Sequence, residues 1–265
     1  MDMLRYIEKR FEKEGMIIQE SQAVQFEQYF KILIETNKVM NLTAITEFKA
    51  VIEKHFLDSA LLSKYIDFHE VKSMIDVGTG AGFPGVPLKI LYPQLKVTLL
   101  DSLNKRIQFL QNVVDNLGLS DVELIHGRAE DFGRNPAYRE QYDLCVSRAV
   151  ANLSTLSEYC TPFIRCGGTF AAYKSGVIDE ELEHAKGAIR LLGCRTRRVE
   201  KFSLKPETED CGTENSEQQI GKEGEEQGRS FVIIERLEHI GKKYPRKAGM
   251  PSKIPLSVSN QFNKK

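Results

Sequence analysis

The sharpest chemical signal in the chain is the run Asp76-Val77-Gly78-Thr79-Gly80-Ala81-Gly82-Phe83-Pro84-Gly85. It follows a β-branched strand pattern and opens a helical one. Glycines there let the backbone turn tightly and come close to a ligand. Pro84 suits a first helical turn, where its missing N–H has no partner to lose. Gly80-x-Gly82-x-x-Gly85 has the spacing of a dinucleotide fingerprint, a weak signal by itself. Asp101 strengthens it. It closes the second predicted strand, where a carboxylate can accept both hydroxyls of an adenosine ribose.

That ribose belongs to nicotinamide cofactors and to S-adenosylmethionine alike, and three features favour the methyl donor. Asp76 begins the loop, where a carboxylate can organise the turn and face a cationic methionine end; a purely structural role is the alternative. Glu130 and Asp131 follow the third strand, where a backbone N–H and a carboxylate could read adenine, or simply cap a helix. The strand pattern also ends in an antiparallel pair, which methyltransferase sheets have and the dehydrogenase double unit lacks.

The elements that must position these residues follow from periodicity. Residues 1 to about 70 read as helical, with Phe26, Phe30 and Leu33, then Phe56, Leu57, Leu61 and Leu62, at helical spacing and Val39 to Leu42 closing the earlier stripe. Beyond them, strands at Ser73–Val77, Lys96–Leu100, Val122–Ile125, Leu144–Ser147 and Thr169–Tyr173 alternate with helices at Pro84–Leu91, Lys105–Leu117, Leu153–Ile164 and Asp179–Leu192. Such alternation predicts a parallel sheet with right-handed crossovers. Arg197–Leu204 and Ser230–Leu237 lack a helix between them and are expected to pair antiparallel. The fold class is therefore α/β: a Rossmann-like class I S-adenosylmethionine-dependent methyltransferase, with a seven-stranded, mostly parallel sheet whose last strand is antiparallel. The expected division is a helical subdomain over 1–70, the catalytic domain over 71–240 and a basic tail over 241–265.

Charge is balanced overall, with 37 basic and 37 acidic residues, but it is segregated. Glu207 to Glu226 is acidic with Lys222 the only base; Gly241 to Lys265 carries Lys242, Lys243, Arg246, Lys247, Lys253, Lys264 and Lys265 and no acid. Segregation sets the local potential. The acidic, Gly-rich stretch 206–229 is expected to be a disordered loop. The tail is expected to be an extended arm on an RNA backbone, or else an ordinary frayed terminus. The five cysteines include no C-x-x-C pair, so neither a disulfide framework nor a zinc knuckle is expected, and no metal is assigned. No run is long and apolar enough for a membrane span, and the N-terminus lacks a secretory centre, so the protein is read as cytoplasmic.

Taken together, the motifs resemble the small-subunit ribosomal RNA guanine-N7 methyltransferase G family, also called glucose-inhibited division protein B. The resemblance rests on Asn41-Leu42-Thr43, His55-Phe56-Leu57-Asp58-Ser59, the loop from Asp76 to Pro87, Arg128-Ala129-Glu130-Asp131-Phe132, Ser147-Arg148-Ala149 and Tyr173-Lys174-Ser175. The string Lys243-Tyr244-Pro245-Arg246-Lys247-x-Gly249-x-Pro251-x-Lys253 is similar to the tail of some members. The acidic segment is longer than the family pattern leads one to expect.

The resemblance implies methyl transfer from S-adenosylmethionine to N7 of a guanine in helix 18 of 16S ribosomal RNA, free or in the small subunit. It implies a donor site at Gly78, Phe83, the Ala129–Glu130 backbone and Arg148, with Asp101, Ser102 and Leu103 near the ribose. With Asp76 and Gly80 from the loop, these are the candidate cofactor residues. A base-facing rim of Arg128, Arg148 and Lys174 would position RNA, with Arg148 anchoring the donor's carboxylate or a phosphate. N7 has no proton to lose, so no general base or metal is required in principle. His55 reads as a packed helix residue and stays outside the candidate site. A monomer is the working expectation. The rival readings are a small-molecule methyltransferase, with a closed pocket and no use for a basic tail, and a nicotinamide-nucleotide-binding oxidoreductase or noncatalytic nucleotide-binding module.

Overall fold

A computed structural model describes residues 2–204 and 227–257. The chain opens with α1 (Met3–Lys13) and α2 (Glu20–Met40). Asp2 caps α1 by accepting from the Leu4 N–H, and Asn41 ends α2 in the left-handed conformation. Next come α3 (Phe48–Val51), a π-helical turn over Ile52–Leu57, α4 (Asp58–Ala60) and a 3₁₀ turn over Leu61–Lys64. The predicted stripe of Phe26, Phe30, Leu33, Phe56, Leu57, Leu61 and Leu62 is buried. Val39 is not: it is 82% exposed, so the stripe of α2 fades before its last turn.

The sheet contains β1 (Ser73–Val77), β2 (Lys96–Asp101), β3 (Val122–His126), β4 (Tyr142–Arg148), β5 (Ile164–Ser175), β6 (Cys194–Leu204) and β7 (Gln227–Arg236). Its order is β3-β2-β1-β4-β5-β7-β6. The first five strands pair in parallel. β7 inserts between β5 and β6 and runs antiparallel to both, so the predicted terminal pair is present with the last strand inside the sheet. The intervening helices are α5 (Gly85–Leu91), α6 (Asn104–Leu117), α7 (Ala129–Phe132), α8 (Leu153–Cys160) and α9 (Asp179–Leu191). The helix predicted to run to Ile164 stops at Cys160; Thr161–Phe163 is a 3₁₀ turn and Ile164 already belongs to β5.

Alternation along the strands divides the core. Met74, Val97, Leu99 and Val146 join the cluster built with Phe11, Phe26 and Phe56 of the N-terminal helices. Ile75, Val77, Leu100 and Cys145 face the other cluster, with Leu153, Leu156 and Ile189 of α8 and α9. The helical N-terminal segment thus covers one face of the sheet. Strand order reverses between β2-β1 and β4, which makes their carboxyl ends the crevice where open sheets bind ligands.

Part of the acidic segment expected to be a disordered loop, Gln227 to Arg229, belongs to β7; residues 206–226 lie outside the described residues. The basic tail departs from the arm predicted for it. Lys264 and Lys265 lie outside the described residues, but up to Ser257 the tail folds back on the domain and forms α10 (Met250–Lys253). Tyr244, Pro251 and Leu256 are buried. Apolar side chains placed among the bases supply the contact surface that a purely electrostatic arm lacks.

Candidate active site

The glycine loop is tied down from both sides. The N–H groups of Gly78 and Thr79 donate to the Leu100 carbonyl, at 2.8 and 3.2 Å, fastening the loop to the end of β2. Asp76 lies beneath it, fully buried. Its Oδ2 accepts from Thr79 Oγ1 at 2.7 Å and from the Gly85 N–H at 2.8 Å. Asp76 Oδ1 is buried without a partner among the described residues. Burial pushes the Asp76 carboxyl up to about 7, against the pull of those two donors. The acid is bonded to both ends of the loop and does not line the cavity that the loop borders. Gly78 sits at φ +73°, and a Cβ there would come within 2.6 Å of Val150 Cγ2.

That cavity, about 270 Å³, opens at the switch point. Gly78, Asp101, Ser102, Arg128, Ala129 and Glu130 line it, together with Val150, Tyr159, Gly249 and Ser252. Asp101, 2% exposed, accepts from the Gly80 N–H at 2.9 Å, the Leu103 N–H at 2.9 Å and Arg106 Nη1 at 3.2 Å. An ionised carboxylate offers about four acceptor sites, so these donors leave capacity for a hydroxyl. The Glu130 carboxylate accepts from the Gly249 N–H at 2.8 Å, and both Ala129 and Glu130 line the cavity. Gly80 borders the site through its bond to Asp101, and Leu103 flanks it, 43% exposed.

Phe83 and Arg148 go elsewhere. Phe83 is buried, stacked on His55 with centroids 4.6 Å apart, and the Arg148 guanidinium lies 5.1 Å from its ring centroid. Both belong to the neighbourhood of another cavity, about 390 Å³, lined by Lys54, His55, Asp58, Arg148, Ala149, Tyr173, Lys174, Glu181 and Arg229 among others. Arg148 Nη1 donates to Asp58 Oδ2 at 2.8 Å and to the Lys54 carbonyl at 3.3 Å. Lys174 Nζ bonds the Ala151 carbonyl at 2.9 Å and pairs with Glu181 at 2.6 Å. The predicted rim is therefore divided: Arg148 and Lys174 serve this cavity and Arg128 the other. The strip from Arg148 to Ala151 separates them, with Ala149 on one cavity and Val150 and Ala151 on its neighbour.

His55, which the sequence reading left outside the candidate site, lines the larger of these two cavities. Its Nε2 bonds Thr43 Oγ1 at 2.8 Å and its Nδ1 faces Arg148 Nη2 at 3.4 Å. Burial, reinforced by the Arg148 charge, pulls the imidazole down to about 4, so it is neutral near pH 7. The motif segments containing Thr43 and His55 were visible, but the π-helical turn that aims the ring was not.

A family model described as "rRNA small subunit methyltransferase G" matches residues 22–209. The chain belongs to this family. Ribosomal RNA small subunit methyltransferase G of Brevibacillus brevis is 48% identical over 243 residues, covering 92% of this chain and 94% of the relative. The protein of that name from Staphylococcus epidermidis is 45% identical, covering 97% and 99%. Among solved structures, a SAM-dependent O-methyltransferase from Thermotoga maritima aligns with a TM-score of 0.52 at 15% identity, covering 79% of this chain and 73% of that one; it supports the fold alone. Membership covers Asp76, the glycine loop, Asp101, Ala129, Glu130, Arg148 and Lys174, all of which fall inside the matched span. The tail that borders the smaller cavity falls outside it.

Proposed function

We propose that the chain transfers a methyl group from S-adenosylmethionine to N7 of a guanine in 16S ribosomal RNA. The observation that carries this reading is the pair of cavities meeting along Arg148–Ala151: one bordered by the glycine loop and Asp101, the other rimmed by Lys54, Arg148, Lys174 and Arg229. The relatives' names supply the ribosomal RNA.

The residues present fit the donor. Asp101 has acceptor capacity for a ribose hydroxyl, Gly78 brings bare backbone to the cavity wall where a Cβ would crowd Val150, and the Ala129–Glu130 turn borders the cavity. When bound, the donor supplies a methyl group already activated on a sulfonium. The protein's work is alignment, because in-line geometry at near-attack distance is the main barrier left. Arg148, Lys174 and Arg229 hold the RNA side. As the purine becomes positive, a bare cation against it would oppose the reaction. Asp58 offsets that charge by pairing with Arg148 at 2.8 Å and with Arg229 at 3.2 Å. His55, neutral, adds none.

The test is transfer of tritiated methyl from S-adenosylmethionine to small-subunit RNA and to assembled subunits from cells lacking the protein, followed by mapping of the modified guanine. Incorporation into a metabolite mixture and into neither RNA substrate would sink the reading.

A further inference from the structure

We propose that the C-terminal segment Arg246–Ser252 is part of the methyl-donor site, forming the wall of the cavity that closes over the adenosyl group. This rests on the reading above that the cavity takes S-adenosylmethionine. Gly249 and Ser252 line the cavity beside Ala129 and Asp101. The Gly249 N–H donates to the Glu130 carboxylate at 2.8 Å, and Glu130 is 5% exposed. The tail thereby packs on the acid that follows Ala129, at the edge of the same cavity.

The wall is built to stay. Glu158 on α8 is fully buried, and its carboxylate accepts from the Arg246 backbone N–H at 2.7 Å, from Nε at 2.9 Å and from Nη2 at 2.7 Å. A buried charge needs a hydrogen-bonded partner, and Arg246 is the counter-ion Glu158 has among the described residues. Thr155 Oγ1 donates to the Pro251 carbonyl at 3.0 Å. Arg134 and Arg139 hold the segment just before, donating to the carbonyls of Pro245 and Tyr244 at 2.7 and 2.8 Å. A frayed end would show none of these bonds, and an arm reaching for RNA would not direct Arg246 inward.

The experiment is hydrogen exchange on the full chain with and without S-adenosylhomocysteine. Added ligand is expected to slow exchange both at Gly78–Gly82 and at Arg246–Ile254. Protection of the glycine loop alone would overturn the inference while leaving the donor reading intact; protection of neither would overturn the donor reading and this inference with it. Calorimetry provides an independent arm: Arg246→Ala is expected to weaken S-adenosylhomocysteine about tenfold or more, a difference of about 1.4 kcal/mol, with Arg246→Lys between it and the parent. An unchanged affinity in a folded Arg246→Ala protein would equally overturn it. Should that variant fail to fold, the exchange result on the unaltered chain decides.

Discussion

Arg148 at the end of β4 closes a 2.8 Å ion pair with Asp58, which lies 90 residues earlier in the chain and is 3% exposed. The pair binds the N-terminal helical segment to the sheet at the larger cavity and fixes where the guanidinium points.

Arg148→Ala is therefore expected to lower kcat/KM for RNA methylation about 100-fold, the loss of about 2.7 kcal/mol of transition-state positioning. Affinity for S-adenosylhomocysteine should change little, because the side chain lines the other cavity. Arg148→Lys should not rescue, since an ammonium cannot combine the contact with the Phe83 ring with bonds to both Asp58 and the Lys54 carbonyl in one planar group. Steady-state kinetics beside calorimetry reads both; retained turnover would contradict the role.

Asp76 and His55 give opposite pH dependences. Burial raises the Asp76 carboxyl from 3.8 to about 7, so between those values the folded state holds a proton that the unfolded chain has released, and stability falls as pH rises. His55 is lowered from 6.5 to about 4, so across that window the unfolded chain holds the extra proton and stability rises with pH. The two slopes offset one another between about 4 and 6.5. Urea denaturation of Asp76→Asn should expose the rising slope of His55, and of His55→Gln the falling slope of Asp76. Parallel curves for the two variants would contradict the assignment.

Gly78→Ala is expected to weaken donor binding without unfolding the protein. The left-handed backbone at φ +73° costs a residue with a Cβ about 1–2 kcal/mol, and that Cβ would push Val150 from its place between the cavities. Calorimetry with S-adenosylhomocysteine checks this; unaltered affinity would mean that the Val150 contact is unimportant for the site.

The two ends of the Glu158–Arg246 pair should not be equivalent. Arg246→Ala leaves a fully buried carboxylate without its cation, a loss of about 3–5 kcal/mol. Glu158→Ala leaves Arg246, whose side chain is 22% exposed and can turn to water, so it should cost less. For a chain this long, melting temperature falls about 2–4 °C per kcal/mol. Equal drops in thermal melts would refute the asymmetry.

Much of this was legible in the sequence because it is local. The strand from Ser73 to Val77 and the glycine turn are contiguous, Asp101 closes the next strand, and short β-branched apolar runs, buried on both faces, mark the central strands directly. Two features were hidden for physical reasons. His55 reads as an apolar-face helix residue at α-helical spacing, and only a π-helical turn, which has no periodic signature, aims it at Arg148. The tail reads as basic and therefore free, because net charge is visible while the identity of a counter-ion is not. Glu158, 88 residues before Arg246, carries no mark in sequence as the acid that receives it. Arg148 carries two expectations in the sequence, one at the donor and one at the base-facing rim, while nothing local marks Asp58 as its partner.

The bond between Glu158 and Arg246 also bears on how the chain is made. Synthesis delivers the acid long before its cation, so a growing chain can assemble β1 to β5 while the Glu158 carboxylate must stay in contact with water. Only when Arg246 has left the ribosome can that carboxylate be sealed with its counter-ion. A product that stops short of Arg246 would therefore keep an acid in its interior with no cation beside it, so correct packing of α8 waits on a residue 88 positions further along the chain.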